Sequence, residues 1–427
     1  MKGKIKNIMS KTVKAVYNLS SHIIPANKKI ILFESSNGRN YTGSPKYIYE
    51  EILNQGLENE FKCVWSLTNT NTEIPGNAIK VKRSFPKFLY YTLRSGTWIY
   101  DTRHLYYLKK NKKTKYIQTW HGTPLKKLAL DMDFLNTDGN DDINEYHEDF
   151  RKNSAFWDYL ISQNKFSSEI FKRAFDFKGE MLEIGYPRCD ILINKNNSEE
   201  IDEIKNRLNI PKDKKIILYA PTWRENKFYN KSAFKFDTEM DFDEMHNQLR
   251  DDYILIVKFH YLVKENIDWS KYGDFIIECD ADWDIQELYL ISDIMITDYS
   301  SVMFDYSILK RPMIFFTFDL DDYKNNLRDF YFDMMEEVPG PICKTNEEMI
   351  SYIKNFNRED YDKEYGEKYK RFNEKFNQFD DGNASKKVIE LIKNELKNWW
   401  RIYELKNWLK INELKNWLKI NEKNFLF

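Results

Sequence analysis

The chain has 427 residues, 42% of them apolar, and a formal net charge of −1. That length suffices for two domains with sizeable cores, and so even a charge balance does not suit a protein built to wrap nucleic acid. Its four cysteines, Cys63, Cys189, Cys279 and Cys343, stand far apart without a CxxC pair. This excludes a zinc knuckle or a disulfide-built secreted fold and favours a reduced, cytoplasmic compartment.

Residues 1–28 carry several lysines and no acid, and Ile5, Ile8, Met9, Val13, Val16 and Tyr17 recur at helical spacing. Two readings fit: a basic amphipathic helix on an anionic membrane surface, or a surface helix packed on its own domain. No small-residue cleavage site follows, so the segment is not read as a signal peptide. No stretch of the chain approaches the roughly 20 apolar residues needed to span a bilayer.

From Lys29 the pattern alternates. KIILFES reads as a buried strand and SPKYIYEEILNQG as a helix ended by Gly56. FKCVWSL, AIKVKR, TWIYD, KYIQTW and WDYLIS are further strands. A helix from about Lys165 and the strand MLEIGYP complete residues 29–195 as one α/β domain. The stretch NKNNSEEIDEIKNRLNIPKDKK reads as a polar connector. A second α/β unit, 196–390, is built on KIILYAPTW, YILIVKFH, DFIIECD, DIMITDY and PMIFFTF. Two such halves suggest facing Rossmann-like domains, with ligands at the carboxyl ends of the strands. Residues 391–427 carry ELKNW at 395, 404 and 413. A period of nine turns a helix by two and a half turns, so Trp399, Trp408 and Trp417 alternate sides. That tail reads either as a loosely constrained duplication or as a membrane-surface segment.

The chemistry-bearing residues cluster at the strand ends. In YIQTWHGTPLKKL, His121 directly follows a strand and its imidazole titrates near neutrality, as a general base requires. Gly122 permits close backbone approach, and a helix expected after Pro124 would aim free N–H groups at an anion. A capping histidine is the plainer alternative. Arg224 in YAPTWRE offers a fork of donors to phosphate. Lys258 and His260, two apart at the end of YILIVKFH, point to one side and suit a diphosphate. In DIMITDYSSVMFDY, Ser300 and Ser301 are placed to cap the next helix, with Asp305 one turn on, in reach of a ribose hydroxyl. Asp280, Asp282 and Asp284 in CDADWD read as a solvated loop rather than a metal site. No tightly bound cofactor is expected, and divalent-metal dependence stays open.

Taken in order and spacing, WHGTPLK, GYPR, APTWR, KFH and TDYSSVMFDY resemble the CDP-glycerol glycerophosphotransferase family, the teichoic acid primases and polymerases. NGRNYTGSPKYIYEEI and RDFYFDMMEEVPGPI extend the resemblance over about residues 29–385. It implies a GT-B architecture: two Rossmann-like domains about a cleft. It places a CDP-alcohol against His121, Gly122, Thr123, Pro124, Leu125, Arg188, Thr222, Arg224, Lys258, Phe259, His260, Ser300, Ser301 and Asp305, with Arg328 a lesser anion contact. It implies transfer of glycerol phosphate or ribitol phosphate from CDP-glycerol or CDP-ribitol to a hydroxyl of a lipid-linked acceptor at the inner face of the membrane, releasing CMP. His121 would be the base, and Lys258, His260 and Arg224 would neutralise the phosphates. A GT-B glycosyltransferase using a CMP- or UDP-sugar, and a non-catalytic membrane scaffold, remain as alternatives.

Overall fold

The computed structural model describes residues 2–84, 86–134, 142–222, 228–230, 233–234, 239–259, 267–280, 283–319 and 330–424. The chain opens with helix α1 (Lys2–Ile23). A first sheet follows from β1 (Asn27–Glu34), β2 (Lys62–Leu67), β3 (Ile79–Lys82), β4 (Ser95–Tyr100), β5 (Lys115–Gln118), β6 (Tyr159–Ser162) and β7 (Glu180–Glu183). Its order is β3-β2-β1-β4-β5-β6-β7 and every pairing is parallel. The central strands are buried on both faces, which is why they read as unbroken apolar runs.

The second half repeats the plan. β8 (Lys215–Tyr219) is followed by a small antiparallel hairpin, β9 (Phe228–Asn230) and β10 (Ala233–Phe234). Then come β11 (Tyr253–Val257), β12 (Ile276–Glu278), β13 (Ile294–Thr297), β14 (Met313–Phe316) and β15 (Ile342–Cys343). The parallel sheet runs β12-β11-β8-β13-β14-β15. Both sheets are thus doubly wound, and each reverses its winding beside its first strand: between β1 and β4, and between β8 and β13. Such switch points open a crevice at the carboxyl ends of the strands.

Three features depart from the sequence reading. The polar connector holds a helix, Ser198–Arg207, whose first turn is capped by the Asn197 side chain accepting from the Glu200 N–H at 3.1 Å. No helix starts after Pro124; the chain runs on irregularly to a single turn at Ala129–Asp131. Asp284 is not solvated. It is 5% exposed and caps helix Ile285–Ile291, and its Oδ2 lies 2.7 Å from Lys46 Nζ and 3.0 Å from the Tyr47 hydroxyl. Lys46 and Tyr47 belong to helix α2 (Gly43–Asn54) of the first half, so this buried pair ties the two halves together.

The last helix runs from Ala384 to Asn424. The Asp190 carboxylate accepts from its first N–H groups, Ala384 at 2.9 Å and Ser385 at 2.7 Å. Val388, Ile389, Ile392 and Leu396 then pack into the core of the first sheet, not the second. Among the described residues no helix is long and apolar enough to cross a membrane.

Candidate active site between the two sheets

β5 ends in a sharp turn. Trp120 takes a left-handed backbone, φ 53°, a conformation that costs about 1–3 kcal/mol in a residue of this size. Its N–H donates to Gln118 Oε1 at 2.9 Å, and its buried ring packs against Phe175 and Phe150. These contacts hold the turn and present His121 at its tip, stacked on the Trp120 ring with centroids 4.4 Å apart.

His121 Nδ1 lies 2.9 Å from the Asp101 carbonyl oxygen. A carbonyl only accepts, so Nδ1 carries the hydrogen and Nε2 keeps a free lone pair. The residue is exposed to solvent, while the Trp120 ring covers one face of the imidazole. Desolvation by the neighbouring protein lowers its pKa from 6.5, with the Asp101 carbonyl opposing it and the Arg188 and Arg103 cations adding to the effect. The imidazole is therefore neutral at pH 7, the state a proton acceptor needs.

Gly122 is where the halves meet. A Cβ there would stand 3.3 Å from Ser301 Oγ and 3.9 Å from Arg188 Nη2. Ser301 heads the short helix Val302–Tyr306 without a side-chain cap bond, leaving its hydroxyl toward Gly122; Ser300 Oγ makes the long 3.5 Å contact to the Val302 N–H. Thr222, at the end of β8, donates its backbone N–H to Asp298 Oδ1 at 2.8 Å, joining the ends of β8 and β13. At the end of β11 the Lys258 ammonium donates to the Asp280 carbonyl. Thr222, Lys258, Ser300 and Ser301 thus share the carboxyl edge of three adjacent strands, facing the loop that carries His121.

Other expected positions make contacts within the protein. Thr123 is buried, bonded to Gln163 at 2.7 Å and Asn164 at 3.0 Å. Pro124 is buried, and Leu125 inserts into the core of the second half, its carbonyl accepting from the Tyr331 N–H at 2.9 Å. This insertion is why no helix starts there. Phe259 packs on the Tyr219 and Trp269 rings. Asp305 is engaged within the protein: Arg188 Nε and Nη2 grip its oxygens at 2.6 and 3.0 Å, and Gln286 adds a bond at 2.9 Å. Arg224, His260 and Arg328 lie outside the described residues. Among the described residues no group of three or more His, Cys, Asp or Glu is placed to hold a metal ion.

The sequence reading passed over Asp101. It acts on His121 through its carbonyl, while its buried carboxyl accepts from the Ser35 hydroxyl at 2.9 Å and the Ser36 N–H at 2.8 Å. Burial raises that carboxyl to about 6, against those two bonds and the Arg188 charge. Its place at the end of the strand TWIYD was the available signal.

The chain matches the CDP-glycerol:poly(glycerophosphate) glycerophosphotransferase family profile over residues 16–394, and it belongs to that family. It is 42% identical over 400 residues to the teichoic acid poly(glycerol phosphate) polymerase of Bacillus spizizenii (92% of this chain, 100% of that protein). It is 38% identical over 396 residues to the teichoic acid glycerol-phosphate transferase of Staphylococcus aureus (92% and 99%). The chain spans about half the length of two other relatives, the poly(glycerol phosphate) polymerases of Bacillus subtilis (52%) and Staphylococcus epidermidis (55%). A solved structure of the wall teichoic acid polymerase TagF superposes with a TM-score of 0.85 at 41% identity, covering 92% of this chain and 96% of that one. A histidine-to-asparagine variant of TagF soaked with CDPG gives 0.86 at 40%, covering 93% and 97%.

Proposed function

We propose that this chain transfers glycerol phosphate, or ribitol phosphate, from its CDP-activated form to a hydroxyl of a teichoic-acid-like acceptor. The observation that carries the reading is His121, neutral and with Nε2 free, held against the serine-tipped edge of the second sheet. In the reaction the acceptor hydroxyl attacks the β-phosphorus of the donor and Nε2 takes its proton. The bond from that phosphorus to the oxygen bridging to CMP breaks, CMP leaves with the electron pair, and a phosphodiester forms. Thr222, Lys258, Ser300 and Ser301 support the donor phosphates; Arg224 and His260 are assigned there from the motifs alone. Because helix Val302–Tyr306 has five residues, the serine hydroxyls weigh more in this reading than a helix dipole. The second sheet takes the nucleotide and the first the acceptor. Acceptor-dependent release of CMP from CDP-glycerol, with the acceptor lengthened by one unit per CMP, is the test; no lengthened acceptor under any donor would sink the reading.

A lipid-linked acceptor fits a chain held at a membrane surface. On α1 the apolar Val13, Val16, Leu19 and Ile23 are 48–71% exposed at three- and four-residue spacing, while Tyr17 and Ser21 are buried against the first domain. An apolar stripe on a basic helix suits insertion into an anionic headgroup layer. Trp408 on the last helix is also exposed and gives the tail a lesser part. Val16→Asp with Leu19→Asp is expected to cut flotation of the full chain with anionic vesicles several-fold. Undiminished flotation would take α1 out of the contact.

A further inference from the structure

Beside His121 the first sheet holds a cavity of about 440 Å³. Asn37, Thr102, Arg103, Tyr106, Trp120 and His121 are among its walls. It sits at that sheet's own switch point: Asn37 follows β1, Thr102 and Arg103 follow β4, and those strands are neighbours. The two sheets thus offer two crevices with His121 between them, and the donor reading fills only one.

The cavity has one cation. The Arg103 guanidinium carbon lies 4.6 Å from the Phe150 ring centroid and 5.5 Å from that of Tyr146, so aromatic faces hold the group in place. No described residue accepts a hydrogen bond from it. Asp149, the carboxylate of the wall, is engaged with Lys152 at 3.3 Å. Asn37 is fixed in a left-handed turn, φ 58°, by its N–H donating to Thr102 Oγ1 at 3.2 Å, which keeps its side chain at the same wall. A positioned guanidinium fork without a protein carboxylate matches a phosphate anion, whose two oxygens it can bind together.

We infer that this cavity binds a phosphodiester of the acceptor, with Arg103 as the anchoring residue, so that the hydroxyl one unit further on reaches His121 Nε2. The inference rests on the proposed transfer reaction for its role but not for its binding chemistry. It makes the acceptor's last phosphodiester, and not only its hydroxyl, part of what is recognised.

The test uses the full chain with Arg103→Ala and Arg103→Lys. The first measurement is binding of bis-glycerol phosphate by calorimetry, without donor. Loss of a charged hydrogen-bonded contact should weaken it about 10- to 100-fold in Arg103→Ala, with Arg103→Lys in between because it keeps charge and loses the fork. The second is steady-state transfer. The KM of an acceptor ending in a glycerol phosphodiester should rise similarly, while the KM of CDP-glycerol and the KM of an uncharged hydroxyl-ended acceptor of equal length stay within about twofold. Equal binding of the probe by wild type and both variants would overturn the inference, as would an equal KM rise for charged and uncharged acceptors. If wild type binds the probe through Arg103 yet transfers nothing from CDP-glycerol, the transfer reading fails and the anion site stands.

Discussion

Replacing His121 with alanine is expected to lower transfer at saturating donor by about 10²–10⁴-fold, the usual contribution of a positioned base, while the thermal unfolding transition stays in place. The ring meets cleft solvent and its one hydrogen bond is to the Asp101 carbonyl, so its removal leaves a buried acceptor but no buried charge. The pH dependence separates a base from a merely shaping residue. Desolvation by the neighbouring protein, with Arg188 and Arg103, holds the imidazole below 6.5. A base acts unprotonated, so the wild-type rate should be level at pH 7 and fall only as pH drops below about 6.5, through the lowered value. Transfer by His121→Ala within about threefold of wild type would remove the residue from this role.

The second large effect concerns stability. Lys46→Met should destabilise the protein by about 3–5 kcal/mol at pH 7, because it strands the Asp284 carboxylate in the junction between the halves. The ammonium it removes is 11% exposed and 2.7 Å from Asp284 Oδ2. Burial by itself would raise the Asp284 pKa. The Lys46 charge and bond, the Gln286 N–H and the Tyr47 hydroxyl outweigh it and bring the value below 3.8. A carboxyl lowered on folding contributes its full stability above the unfolded value, about 3.9, and loses it as pH falls through the folded value. The gap between wild type and Lys46→Met in urea melts should therefore be wide at pH 7 and shrink progressively as pH falls below 3.8. Equal midpoints at pH 7 would show that the pair does not hold the junction.

These residues also show what was legible in the sequence. The strands were, because a parallel sheet covered on both faces demands continuous apolar runs such as KIILFE and SGTWIY. The loop carrying His121 and the turn carrying Ser301 were too, because each follows directly from such a run. What escaped depends on partners remote in the chain. Asp284 looked solvated among acidic neighbours, yet its partner Lys46 lies 238 residues away. The pairing of Asp305 with Arg188, 117 residues earlier, left no trace in any local pattern. The helix expected after Pro124 fails because Leu125 is drawn into the other half's core. Asp101 and Arg103 carry no motif; one acts through a backbone oxygen and the other through a cavity that exists only when β1 and β4 pair.

The measurement that bears most directly on the central claim is the identity of the nucleotide released when wild-type protein, CDP-glycerol and a hydroxyl-bearing acceptor are incubated together. Attack on the β-phosphorus breaks a phosphorus–oxygen bond and releases CMP, and the acceptor gains one phosphorus per turnover. A glycosyltransferase-type attack on carbon would release the nucleoside diphosphate and add no phosphorus. Chromatography of the nucleotide with mass spectrometry of the acceptor reads both. CMP in equal amount to added glycerol phosphate is the predicted result; CDP with a phosphorus-free addition, or no turnover of CDP-glycerol or CDP-ribitol, would contradict it.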